Sequence, residues 1–130
     1  MIKGFREAFQ DASRAKEGLA QLTSKQIDIK KKKIPSKRWR IQSQILHMNS
    51  YKVIWFNCYF PTYLQTFQYD DGELMEVLNE IEYILVNSEF DDCIIGGDLN
   101  FDNIRTSGFS RIVRDFMRRL GLSSVWEKFA

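Results

Sequence analysis

Asp98 and Asn100 are the residues whose types and spacing best suit phosphoryl chemistry in this 130-residue chain. They belong to the run Ile94-Ile95-Gly96-Gly97-Asp98-Leu99-Asn100-Phe101-Asp102, where an apolar stretch leads into two glycines and then into an acid and an amide. Side chains alternate along an extended backbone, so Asp98 and Asn100 project to one side if strand geometry continues. The glycines before them let another backbone or a phosphate come close. In such a pocket a carboxylate can orient or deprotonate an attacking water, while an amide donates to a phosphate oxygen. The same spacing also fits an Asp/Asn turn that satisfies its own backbone, and spacing alone favours that simpler reading. Asp102 is within reach of the same pocket, although a solvated loop is the commoner place for such a carboxylate.

The elements that must position these residues alternate in kind. Gly18 to Ile29 has the pattern of a short strand or pair of strands. From Arg38 to Met48, Trp39, Ile41, Ser43, Ile45 and His47 share one face, opposite Arg38, Arg40, Gln42 and Gln44, which predicts a half-buried strand. Val53 to Phe60 is apolar on both faces and predicts a central strand ended by Pro61. After a turn at Asp70, Asp71 and Gly72, the spacing of Leu74, Val77, Leu78, Ile81, Ile84 and Leu85 predicts a helix. Asp92 to Gly97 reads as a short buried strand. Phe109, Ile112, Val113, Phe116, Met117 and Leu120 form the stripe of a second helix, capped by Ser107 and closed by Gly121. Strands and helices in this order indicate α/β or α+β layering.

Composition narrows the class without naming an activity. With 44% hydrophobic and 28% charged residues, the chain matches a single globular domain. Its first residues do not resemble a secretory signal, because Lys3, Arg6 and Glu7 interrupt the apolar ones. No stretch is long enough to span a bilayer, so no membrane partner is expected. Cys58 and Cys93 lie in apolar runs, as reduced buried thiols do, which points to an intracellular protein. The net charge of +2 is unevenly placed. Lys30, Lys31, Lys32, Lys33, Lys37, Arg38 and Arg40 crowd one segment, while Asp70 to Glu82 is acidic. A solvated loop between strands is the ordinary reading of the lysine run; a nuclear-localisation signal or a phosphate-attracting patch has the same composition. Arg111, Arg114, Arg118 and Arg119 fall mostly on the polar side of the second predicted helix, as a solvated face does.

Several stretches together resemble one family. Gly97-Asp98-Leu99-Asn100 is similar to the Gly-Asp-Leu-Asn motif of the endonuclease/exonuclease/phosphatase superfamily. Asn57-Cys58-Tyr59-Phe60-Pro61 resembles its Asn-x-Tyr-x-Pro strand, and a helix of the right length separates the two. Upstream, Glu17-Gly18-Leu19-Ala20-Gln21-Leu22 resembles its Gly-Gly-Leu-Ala-Ile-Leu strand, with Glu17 where glycine is usual. Downstream, the stretch from Gly108-Phe109-Ser110-Arg111 to Leu120-Gly121-Leu122-Ser123-Ser124-Val125-Trp126 looks most like non-LTR retrotransposon endonucleases. The resemblance runs from about residue 18 to 129, within one domain taken as partial over 1–130.

That resemblance implies part of a four-layer α-β-β-α sandwich with two packed mixed sheets, and magnesium-dependent cleavage of phosphodiesters in DNA. It assigns Asp98 to the attacking water, Asn100 to the scissile phosphate and Tyr59 to support of the phosphate or transition state, with Asn57 and Asn100 contacting substrate. The family's magnesium-binding Glu, found in a Gln-Glu context, has no counterpart here: neither Glu7 nor Glu17 follows Gln. Its Ser-Asp-His motif is also missing, and the lone His47 has no Asp beside it. The expectation is therefore a domain short at both ends, with impaired catalysis and one face of the Val53 to Phe60 strand uncovered and prone to self-association. A noncatalytic remnant that binds nucleic acid or a partner is the alternative, and a phosphatase of the same superfamily is a third.

Overall fold

Strand β5 (Tyr51–Tyr59) organises the chain because both of its faces find partners. The computed structural model describes residues 5–11, 18–25, 30–36, 40–61, 72–100 and 108–125. Within them lie β1 (Phe5–Asp11), β2 (Gly18–Ser24), β3 (Lys30–Ile34), β4 (Ile41–Met48), β5, α1 (Gly72–Val86), β6 (Asp92–Asp98) and α2 (Gly108–Arg119). The four later strands form one mixed sheet in the order β3-β4-β5-β6. Its first two pairings are antiparallel and β5–β6 is parallel, with α1 in the crossover that a parallel neighbour requires. β1 and β2 pair antiparallel in a separate two-stranded sheet. The content is thus mixed α+β.

Register divides the four-stranded sheet into two unlike faces. On one, Ile41, Ile45, Ile54, Phe56 and Cys58 meet Leu74, Val77, Leu78, Ile81 and Ile84 of α1 and Val113 and Phe116 of α2 in a single core. Each such side chain contributes about 1.5–3 kcal/mol when fully withdrawn from water. The periodicity of both helices is therefore the imprint of this face. α2 ends as its sequence predicts: Gly121 has φ 68°, and the Leu122 and Gly121 amides donate to the Met117 and Arg118 carbonyls, at 2.8 and 3.2 Å. The Ser107 cap, the Asp70-Asp71 turn, Trp39, Asp102 and Trp126 lie outside the described residues.

The opposite face carries Gln42 and Gln44 beside Asn57 and Trp55, their register partners on β5. β2 lies against it: the Gln21 side-chain amide donates to the Trp55 carbonyl at 3.3 Å, and that of Asn57 donates to the Ala20 carbonyl at 2.9 Å. Two expectations change as a result. β4 is not half-buried, because Gln42 and Gln44 are about as withdrawn from solvent as Ile41. Nor is β5 left with an open face, since Val53 is buried and Trp55 and Asn57 are partly covered. Among the described residues Tyr51 at the start of β5 is 43% exposed, and on β6 Ile94 is 54% exposed, that strand being an edge rather than fully buried.

Two further strands depart from the sequence patterns. β1 was not anticipated, because its charged and apolar residues interleave without a clean face, yet its backbone pairs with β2 along the whole length. The lysine run is not a loop: Lys30 to Ile34 pairs with His47 to Ser43 as edge strand β3. Backbone hydrogen bonds hold it there, and lysines on an outer strand discourage pairing with another chain.

Candidate functional site

The sequence-predicted residues meet where β5 and β6 end together. Tyr59 and Asp98 are register partners on these parallel strands, so their side chains share the face that also carries Asn57. The ladder continues past them, with the Phe60 amide donating to the Asp98 carbonyl at 2.8 Å. β6 then turns back over the end of β5. Asn100 adopts φ 47°, in the left-handed region that asparagine tolerates better than most residues, and its side-chain amide donates to the Phe60 carbonyl at 2.7 Å. The Asn100 backbone amide donates to Asp98 Oδ1 at 3.2 Å. The acid and the amide are thus linked by an Asx turn while both remain beside Tyr59.

Gly97 makes this approach possible. Its φ is 113°, and a Cβ there would lie 2.2 Å from the Cys58 carbonyl oxygen and 2.8 Å from Asn57 Oδ1. No side chain fits without moving β5 away from β6. Gly96 has open space at the same test, so only one of the paired glycines is required sterically.

Arg40 is the site neighbour that sequence reading missed. Its guanidinium sits 5.1 Å from the Tyr59 ring centroid, donates from Nη1 to the Tyr59 carbonyl at 3.2 Å and from Nε to Glu73 Oε1 at 2.7 Å. It therefore joins the end of β5 to the first turn of α1 and holds positive charge over the tyrosine face. Only the signal of cross-strand register could have found it, since Arg40 precedes Ile41, the partner of Cys58.

Asp98 is exposed, whereas Tyr59, Asn57 and Asn100 are partly buried. An exposed carboxylate with one oxygen committed to a backbone amide keeps other lone pairs for a water or a donor on a ligand. Asn100 likewise uses one of its two amide hydrogens on Phe60. His47 lies at the far end of β4, paired with Lys30 and Lys52, and has no place in this cluster. Among the described residues there is no group of three or more His, Cys, Asp or Glu side chains placed to hold a metal ion. No helix of the described residues is long and apolar enough to cross a membrane. No protein-family model matches the chain, and no curated protein matches it.

Proposed function

We propose that this chain is a nucleic-acid-directed phosphodiesterase domain of the endonuclease/exonuclease/phosphatase type, of the retrotransposon-endonuclease kind, with Tyr59, Asp98 and Asn100 facing the phosphodiester. The observation that carries the reading is the meeting of two distant segments: the Asn57-to-Pro61 strand and the Gly97-to-Asn100 turn bring Tyr59 beside Asp98 at one sheet end. In this reading the β1–β2 sheet belongs to the second sheet of an α-β-β-α sandwich, and α1 and α2 form one outer layer.

The exposed carboxylate of Asp98 orients the attacking water and takes up its proton as the new P–O bond forms; the ester P–O bond breaks with its electron pair on the departing oxygen, which takes a proton from solvent. The second Asn100 amide hydrogen and the Asn57 amide supply donors to phosphate oxygens. Arg40 keeps the Tyr59 ring in place. Magnesium, which the family resemblance implies, is usually held by one or two carboxylates together with substrate phosphates. Among the described residues the cluster offers the Asp98 carboxylate, with Glu73 engaged by Arg40 at its edge, so Asp98 would hold such an ion together with the phosphate, where it would supply positive charge to the phosphate oxygens.

A noncatalytic reading has an observation of its own, because the Asp98–Asn100 bond is also what a purely structural Asx turn would show. Conversion of supercoiled plasmid by the purified chain, with magnesium and with chelator, separates the two beside Asp98→Ala. Nicking lost in Asp98→Ala supports hydrolysis. A folded chain that nicks no more than the variant overturns it and leaves a binding module.

A further inference from the structure

The opposite end of the same sheet carries a second concentration of chemistry that the Asp98 cluster does not use. The register places Lys30 directly across from His47, and His47 directly across from Lys52, so three neighbouring strands present a base at one level of one face. Lys32, the partner of Ile45, lies on that face two residues further along β3. Lys32, His47 and Lys52, with Lys33, line a cleft of about 380 Å³ closed by Asn87, Ser88 and Glu89 just after α1, and Lys30 lies outside this lining. The acid in its lining is Glu89, 3.4 Å from Lys52, and that carboxylate is 91% exposed. An ion pair so open to water holds its partners weakly and yields to a competing anion.

The last turn of α1 does not consume these charges. Its carbonyls are already met by side chains that follow them, Asn87 donating to the Tyr83 carbonyl at 2.8 Å and Ser88 to that of Ile84 at 2.6 Å. Among the described residues Lys32 and Lys33 make no ion pair. Backbone pairing fixes the strands that carry the bases, so the row is preorganised rather than a flexible tail. From Lys52 to Tyr59 the distance along β5 is roughly 23 Å at 3.3 Å per residue.

We infer that this cleft is a binding site for the phosphate backbone of nucleic acid, separate from the Asp98 cluster and independent of whether that cluster hydrolyses anything. Phosphate contacts of this kind release counterions, so each lost contact lowers the slope of log K against log salt by about 0.9 for duplex DNA.

The test is fluorescence anisotropy of a labelled 20-base-pair duplex in chelator, across a salt series, with circular dichroism of each variant to establish folding. Lys32→Ala/Lys52→Ala is expected to weaken binding at least about tenfold near 0.1 M salt and to reduce the slope by about two. Lys32→Arg/Lys52→Arg should retain binding. Arg111→Ala/Arg118→Ala removes the same charge from exposed positions on α2. An equal loss in that control would reduce the effect to net charge and overturn the inference. So would unaltered binding in the lysine variant, or the same variant-sensitive affinity for heparin as for DNA.

Discussion

Gly97→Ala is the substitution through which the geometry of the Asp98 cluster can be challenged most sharply. The added methyl group would meet the Cys58 carbonyl oxygen at 2.2 Å and the Cys58 nitrogen at 2.9 Å, and both are backbone atoms of a central strand that cannot rotate aside. Holding an L-residue at positive φ costs about 1–2 kcal/mol. Forcing the strand to shift adds about 1–3 kcal/mol, as overpacked interiors show. The sum, about 2–5 kcal/mol, is a large share of the 5–15 kcal/mol typical of a domain. It corresponds to a fall in Tm of roughly 7–18 °C at this chain length. Gly96→Ala is the internal control, because nothing lies within 4 Å of its added Cβ and its φ is not in the left-handed region. It should change stability by less than about 1 kcal/mol. Urea and thermal melts of the two variants side by side are the assay. If Gly97→Ala melts within about 3 °C of the parent chain, the close approach of β6 to β5 is wrong, and with it the placing of Asp98 beside Tyr59.

Other consequences can be checked with the same melts. The Gln44 amide is buried without a hydrogen-bond partner among the described residues, so Gln44→Leu should raise stability by about 1 kcal/mol, seen as a higher urea midpoint; a loss would mean that the amide is satisfied. Glu73→Gln should cost less than about 1 kcal/mol, because the carboxylate paired with Arg40 is 51% exposed and water screens the pair. Burial, with smaller help from a neighbouring thiol or carboxylate, pushes the Cys58 and Cys93 thiols up to about 12 and about 11 from an ordinary value of 9.0. Unfolded thiols would ionise first as pH rises, so this contribution is complete below pH 9 and is lost through pH 11–12. The slope of Tm against pH above 9 should therefore be shallower in Cys58→Ala than in the parent chain, and equal slopes would argue that Cys58 is not buried.

Much of the architecture was legible because one core face dictates it. The stripes of α1 and α2 follow from packing on Ile54, Phe56 and Cys58, and the two-sided apolarity of β5 from its central place. What the patterns hid was tertiary. Gln42 and Gln44 look like solvent positions in β4 until β2 is seen to cover them, and no local signal says that it does. Lys30 to Lys33 look like a loop because backbone pairing leaves no mark on composition. In the candidate site, the spacing of Asp98 and Asn100 is visible in their own segment, whereas Tyr59 comes from the family resemblance alone, and the structure brings the two segments together. Arg40 was not, since its role depends on which side chain lies across the sheet rather than on its neighbours in sequence.

The central claim, that Tyr59, Asp98 and Asn100 face a phosphodiester, is tested most directly by mapping amide shifts on a 15N-labelled chain during titration with a short oligodeoxynucleotide. Saturable shifts are expected at Tyr59 and from Gly96 to Asn100, diminished in Asp98→Ala and Asn100→Ala. Binding that leaves those amides unmoved would contradict the claim.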